Sequence, residues 1–420
     1  MLDQQHKEAR MRMSTMELTE EQRLLADTAR RFTDEVVIPW VETNRDREWT
    51  APPAERVPYE LFEAIDALGL RTLGVPEKYG GVALEHQAVT FAVLAEELAR
   101  GDSGFMDSLA QVWKVSVLLS QCAPEHLQDE WFPRIIEDTG FLLAHALTEP
   151  RGASDRWLPY DVPEAAMHTK AKREGDEWVL NGRKHFITNG YDAKLYVIYA
   201  NTDPGKGMRS GTSSFLVPRG TDGFTIGRAH EKFGARFMNN GELIFEDCRL
   251  PADHLLVENE ALGKAGVYFQ PGKILQAAKN LGVGVAALEE TSRYVEEFVQ
   301  GGKLLIKHQV VAKAMAEMAT KVESVRAMTR LAARAVDAGA DDAPVLTWMA
   351  KVYAGDNIFE VCRRAMELHG GSGVMRDTGI EKHFRDAAMF LHMDGTADIH
   401  NFKIAKALFP STAAEYAGLE

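Results

Sequence analysis

A few short polar clusters sit beside apolar sequence in this chain of 420 residues. The first is Met393-Asp394-Gly395-Thr396-Ala397-Asp398-Ile399. A carboxylate in such a setting is a candidate for acid–base work, and equally for the N-cap of a helix. The second is Leu147-Thr148-Glu149-Pro150-Arg151-Gly152-Ala153-Ser154-Asp155. Its hydroxyls, small residues and backbone amides could mould around the polar edges and phosphates of a ligand, or form a plain surface turn. The third, Phe186-Ile187-Thr188-Asn189-Gly190, sets an aromatic two residues before a hydroxyl, so that both point to one face if the segment is a strand. An ordinary core Phe has the same pattern. The fourth is Glu367-Leu368-His369-Gly370-Gly371-Ser372-Gly373. Glycines after a helix let the backbone approach a phosphate, and serve as well for a C-cap and turn.

These residues need elements to position them. The first third of the chain reads as helices. Thr19-Glu20-Glu21-Gln22 has capping-box spacing, and Leu25, Ala29, Phe32 and Val36 follow at helical intervals. Pro39 predicts a stop. Leu61 to Leu68 and Val89 to Ala99 form further apolar faces, with a break at Gly80-Gly81. From about Phe141 the texture changes. Asn181-Gly182, flanked by Trp178-Val179-Leu180 and by Lys184 to Ile187, predicts a two-residue hairpin. Leu195 to Ala200, Ser213 to Val217 and Leu243 to Phe245 are β-rich runs. Beyond Glu258 the periodicity is helical again, over Leu281 to Val299, His308 to Gly339 and Pro344 to Leu368, as suits antiparallel helices in a bundle. Pro410 ends the last helix. The class is α+β, with helices over 1–142, a central β-domain over 143–258 and a helical bundle over 259–420.

Bulk composition narrows the function classes. The formal net charge of −14 argues against a nucleic-acid partner, which wants clustered Lys and Arg. Cys122, Cys248 and Cys362 have no CxxC spacing, so neither a disulfide framework nor a zinc knuckle is expected. His145, His369, His383, His392 and His400 share no zinc spacing, and no metal is expected. The polar N-terminus, residues 1–16, lacks the apolar run of a signal peptide, and no stretch of about 18 apolar residues occurs. A cytoplasmic protein without a membrane partner is expected.

Together, the second, third and first clusters resemble the acyl-CoA dehydrogenase family. Gly74-Val75-Pro76-Glu77-Lys78-Tyr79-Gly80-Gly81, Glu96-Glu97-Leu98-Ala99-Arg100, Phe245-Glu246-Asp247 to Pro251 and Phe384-Arg385-Asp386-Ala387 extend the resemblance from Leu18 to about Phe409. It implies a helical N-terminal domain, a β-domain and a C-terminal four-helix bundle. FAD is expected between the last two and at a subunit interface, usually of a homotetramer (or homodimer). It implies α,β-dehydrogenation of an acyl-CoA, with electrons passed to an electron-transfer flavoprotein.

By the same resemblance, Leu147 and Thr148 meet the flavin ring and Ser154 its pyrophosphate. Phe186, where many members have Trp, lies against the ring while Thr188 reaches N5. Gln309, Glu367, Gly370, Gly371 and Thr396 complete the cofactor contacts. Glu367 replaces the family's Gln, which leaves backbone contacts there. Gly395 and Lys273 belong to the substrate side. Phe298 stands where the family has an Arg on the pyrophosphate, a charge-assisted contact worth roughly 1.5–3 kcal/mol. Asp394 takes the place of the usual catalytic Glu, which removes the Cα proton while hydride leaves Cβ for flavin N5. The oxyanion donors would be the Asp394 N–H and a ribityl hydroxyl. Asp is shorter than Glu by one C–C bond, roughly 1.5 Å. Some relatives that oxidise cyclic acyl-CoAs carry Asp here, and so does the nitroalkane oxidase branch. A flavin oxidase or monooxygenase is therefore the alternative. A non-catalytic flavoprotein or DNA-associated stress protein is a third reading, against which the acidic balance and the intact Asp394 weigh.

Overall fold

A computed structural model of the chain describes residues 18–410, apart from 159 and 269. The polar N-terminal stretch discussed above lies outside the described residues. The longer helices are α1 (Glu20–Phe32), α2 (Tyr59–Asp66), α3 (Gln87–Gly101), α4 (Ser103–Cys122), α5 (Glu125–Glu137), α6 (Gln270–Glu297), α7 (Gln309–Asp337), α8 (Ala343–Leu368), α9 (Ile380–Phe390) and α10 (Ala397–Leu408). Eight strands lie between α5 and α6: β1 (Leu143–Ala146), β2 (Lys170–Glu174), β3 (Glu177–Thr188), β4 (Leu195–Asn201), β5 (Thr212–Pro218), β6 (Phe224–His230), β7 (Asn240–Pro251) and β8 (Leu255–Val257). The order is α, then β, then α, as the sequence pattern requires. The chain folds as two compact units. Among the described residues, one holds 18–43, His86–Ser103 and Lys273–Asn401; the other holds Asn44–Glu85, Gly104–Gly272 and 402–410.

The first unit is helical. Thr19 caps α1 in a reciprocal box with Gln22. Pro39 does not stop the helical path. A π-helical turn over Thr33–Val37 precedes it, with Ile38 N–H donating to Thr33 O. That turn leads into a further helix, Ile38–Thr43, in which Pro39 occupies the second position. The widened π turn immediately before Pro39 lets a continuous helical path accommodate a residue that has no N–H to donate. Charged groups tie the long helices together. Glu96 of α3 is buried and accepts from Arg326 and Arg330 of α7 at 2.7 and 2.8 Å. The Asp337 carboxylate closes the start of α3 by accepting the Ala88 and Val89 amides. Asn280 of α6 donates to Ala354 O of α8 at 2.9 Å.

In the second unit the sheet runs β6-β7-β3-β2-β4-β5-β8, with β1 parallel to β4. Asn189, buried after β3, donates to Ser108 O and Leu143 O and so ties α4 to the sheet. The expected hairpin at Asn181-Gly182 is not formed. Both residues lie inside β3, and the hairpin is at Gly175-Asp176, with Glu174 paired to Glu177. At Asn181 the partner strand β7 carries an extra residue: Leu180 pairs with Cys248 and Gly182 with Phe245. Asp247 takes φ +49 in this bulge, and its amide donates to Asn181 Oδ1. The Asn side chain thus satisfies a bulge rather than a turn. A second bulge sets His185 and Phe186 against Glu242, between the Lys184–Leu243 and Ile187–Gly241 pairs.

Close helix contact in the first unit generates a graded prediction. A Cβ on Gly282 of α6 would stand 2.3 Å from Glu96 O, a backbone atom, whereas one on Gly284 would meet Ile358 Cδ1 at 2.6 Å. Ala gains about 1 kcal/mol of helix propensity over Gly at either place. Overpacking against fixed backbone costs about 1–3 kcal/mol. Gly282→Ala should therefore lower the thermal midpoint clearly more than Gly284→Ala, whose clash a side-chain tip can relieve. Equal midpoints for the two variants would refute this packing.

Candidate functional site

In the first unit, Asp394 sits at a backbone corner. Its φ is +53 and that of Gly395 is +103, two left-handed residues in succession. For a residue with a Cβ this conformation costs about 1–2 kcal/mol, so something must hold it. His400 of α10, fully buried, stands with Nε2 3.0 Å from Asp394 O. Lys351 of α8 donates to Gly395 O at 2.6 Å. Gln276 of α6 donates from Nε2 to Asp394 Oδ2 at 2.7 Å. Asp394 is thus held by α6. The cap position of α10 falls to Thr396, whose Oγ accepts the Ile399 amide at 3.5 Å. Burial pushes the Lys351 ammonium down to about 8, although Asp394 and Asp356 pull the other way. Lys273 precedes Gln276 by three residues on α6, a spacing that sets both on one face.

The other candidates of the first unit lie on α7 and α8. Gln309 opens α7 and is exposed. Glu367 is held by Arg363 and Arg364, which keep its carboxyl below the usual range. Its side chain is engaged by its own helix. Gly370, with φ +59, and Gly371 follow as an exposed turn. A Cβ on either glycine would meet nothing within 4 Å, so the backbone there is open to a ligand. Phe298, where the family's Arg was expected, stacks on Tyr294 at 5.0 Å, and Tyr294 stacks on His369 at 4.1 Å.

In the second unit the 147–155 loop is tied to β3. Thr148 O accepts the His185 amide at 2.8 Å, and Glu149 pairs with Gly152 in an isolated bridge. Beneath it lies a buried ion pair. Lys184 Nζ is 3.0 Å from Glu149 Oε1 and 3.3 Å from Leu147 O, and the His168 and Thr169 amides donate to the same carboxylate. Burial works against the Glu149 charge, but Lys184 and these donors prevail and hold its carboxyl low; burial also lowers Lys184. Ser154 begins a short 3-10 turn over Ser154–Trp157. Phe186, at φ +58 in the second bulge, is 57% exposed, and Asn240 holds its carbonyl at 2.7 Å. His185 and His230 flank its ring at 4.2 and 4.8 Å, and burial lowers both imidazoles. Thr188 closes β3 opposite Asn240. Within this unit, an exposed ring and a loop with hydroxyls, both tied to β3, fit a flat cofactor.

Sequence reading missed Gln276 and Lys351 and weighed His400 only as a metal ligand. One signal was present: Lys351 falls among Thr347, Ala350, Ala354 and Ile358, a buried helical stripe in which a lysine is out of place. Among the described residues no cluster of three or more His, Cys, Asp and Glu could hold a metal ion. No described helix is long and apolar enough to cross a membrane.

Comparison with known proteins agrees along most of the chain. Models of the acyl-CoA dehydrogenase N-terminal, middle and C-terminal domains match residues 19–139, 144–248 and 265–409. A cyclohex-1-ene-1-carbonyl-CoA dehydrogenase of Geobacter metallireducens is 35% identical over 94% of this chain and 99% of its own length. One of the same description from Syntrophus aciditrophicus is 33% identical over 95% and 93%. The structure of butyryl-CoA dehydrogenase from Megasphaera elsdenii superposes with a TM-score of 0.84 at 28% identity, covering 94% of this chain and 99% of that one. The chain belongs to the acyl-CoA dehydrogenase family and is an FAD-dependent oxidoreductase.

Proposed function

We propose that the protein introduces an α,β double bond into an acyl-CoA thioester and that Asp394 is its base. The observation behind this is the Asp394 corner, where a carboxylate is fixed in a strained turn and its side chain is oriented by an amide. An alkyl thioester α-proton is a very weak acid, so the base must be positioned before substrate arrives. One Asp394 oxygen takes the Cα proton, and the released pair becomes the new double bond as hydride leaves Cβ. FAD, when bound, accepts that hydride at flavin N5. Leu147, Thr148, Ser154, Phe186 and Thr188 would hold it from the second unit's loop and strand. Gln309, Glu367, Gly370, Gly371 and Thr396 would add cofactor contacts, those of Glu367 through its backbone. The Asp394 N–H would polarise the thioester carbonyl, with Gly395 and Lys273 beside the substrate.

The acyl group is proposed to be cyclic or otherwise bulky at Cα. The short carboxylate supports this, as do the names of the two similar dehydrogenases. We also propose transfer of the electrons to an electron-transfer flavoprotein and assembly as a homotetramer. Val299, Val310, Val374 and Met375, all exposed in the first unit, support assembly. Asp394 is compatible too with an oxidase acting on a carbon acid such as a nitroalkane. Fast reoxidation of the reduced flavin by oxygen in stopped flow would favour that reading and overturn the dehydrogenase.

Two variants test the assignments. Asp394→Asn should keep the yellow flavin and lose acyl-CoA-dependent bleaching by at least about 10²-fold. A retained rate would move the base elsewhere. Asp394→Glu should improve linear acyl-CoAs relative to cyclic ones in an anaerobic screen; an unchanged ranking would reject the cyclic preference.

Phe298 gives a separate prediction. Where a diphosphate-binding Arg is replaced by a stacked Phe, FAD retention should be weaker, because charge-assisted bonds are roughly twice as strong as neutral ones. Phe298→Arg should raise FAD content per chain after dialysis without changing acyl-CoA selectivity. Full occupancy in the unaltered protein, with no gain in the variant, would show that another group serves the diphosphate.

A further inference from the structure

Resting on the reading of Asp394 as base, we propose that Gln276 is its positioning residue, holding one carboxylate oxygen so that the other faces the Cα proton. The geometry divides the task. Lys351 and His400 bind the two carbonyls of the corner, Gly395 O and Asp394 O, and so fix the backbone. An Asp side chain then has two torsions left to set. The Gln276 amide bears on them directly, donating to Oδ2 at 2.7 Å. Toward an ionised carboxylate only the amide nitrogen can donate, which fixes the amide's orientation. Its oxygen, Oε1, is buried and has no hydrogen-bond partner. Gln276 itself is 5% exposed, so this acceptor is held out of water.

An unpartnered buried acceptor is unfavourable in this state and gains a partner only in a state that supplies a donor. Proton abstraction supplies such a state. Once Asp394 carries the Cα proton on its other oxygen, a half-turn of the carboxyl group brings the new O–H to the Gln276 side, where it can donate to Oε1 after the amide turns over. One side chain can thus serve the carboxylate as a donor and the carboxylic acid as an acceptor. No apolar residue of the same length does either. Facing Asp394 are also Lys351 from α8 and His400 from α10, with Asp356 acting on Lys351. Neither Lys351 nor His400 is altered in the test, so their titration is common to all the proteins compared.

The experiment follows anaerobic flavin bleaching by cyclohex-1-ene-1-carbonyl-CoA and butyryl-CoA across pH, in holoenzyme with measured FAD content. A hydrogen bond donated to the carboxylate favours its ionised form. Gln276→Met should therefore move the acid limb of kcat/KM upward by about one pH unit. It should also lower kcat by at least about tenfold, with KM little changed. Gln276→Glu, which keeps the size and can add a like charge, should move the limb further the same way. A fall in kcat with an unmoved acid limb in both variants would reduce Gln276 to packing and overturn the proposal. So would wild-type kinetics in either. Asp394→Asn, run beside them, separates the two levels. If it retains the rate, the assignment of the base fails; if it is inactive while the Gln276 variants behave as wild type, the positioning role alone fails.

Discussion

The corner at Asp394 and Gly395 is the constraint on which the catalytic reading depends. A left-handed Asp is unfavourable on its own, and two consecutive residues of that hand do not persist without anchors. The anchors come from α8 and α10, through Lys351 and His400, and each is buried. A buried ammonium is costly in turn, which is why Lys351 is pushed down to about 8 even beside Asp394. The strain of the turn and the desolvation of the lysine therefore depend on each other. Each is tolerable because the helices that carry them are locked by unrelated contacts, such as Glu96 with Arg326 and Arg330 and Asn280 with Ala354. The helical unit is a frame whose rigidity is delivered to one carboxylate.

The second unit meets a different demand, which is to present a loop of small and polar residues without letting it move. Its answer is the Glu149–Lys184 pair, with neither side chain more than 1% exposed. A buried ion pair is weak evidence for net stability. Here it has a geometric consequence: three donors converge on one carboxylate and fasten the loop to β3 at the residue before His185 and Phe186. The bulge that follows turns Phe186 outward. Loop and ring are thus indexed to the same short stretch of one strand, and neither can shift alone.

Much of this was legible beforehand, and what was not failed for identifiable reasons. The Thr19 capping box, the β-rich runs and the long helices were readable because each signal is local. Pro39 was misread because a π-helical turn upstream changes which hydrogen bonds a proline would remove. Asn181-Gly182 was misread because the dipeptide serves a bulge as well as a turn, and only the partner strand decides between them. Asp394 was singled out through the family resemblance, but the left-handed corner it occupies was not foreseen. Nor were its anchors, since Gln276, Lys351 and Asp394 are separated by 118 residues of chain between the first and last. Nothing in Gln276 taken alone distinguishes it from a surface glutamine. Lys351 did carry a hint, a charge set in an apolar helical stripe.

With Asp394 as the proposed base, a short carboxylate changes what the surrounding frame must do. A Glu reaches further and can sample several rotamers, so small errors in its backbone can be absorbed by its side chain. An Asp has less reach and fewer torsions, so the backbone must already be right to within the order of 1 Å, the scale at which misplacement costs about a hundredfold. That requirement accounts for the type of anchoring found here. Hydrogen bonds to the carbonyls of Asp394 and Gly395 act on the main chain, not on the carboxylate, and a third to Oδ2 acts on the side chain. Were the frame looser, a carboxylate of this length would meet Cα only in a fraction of encounters. On the proposed reading, a longer carboxylate in the same clamp would stand too far forward for an acyl group bulky at Cα. On that reading base length, backbone strain and acyl bulk are one coupled choice, and a change in any of them alters the demand on the other two.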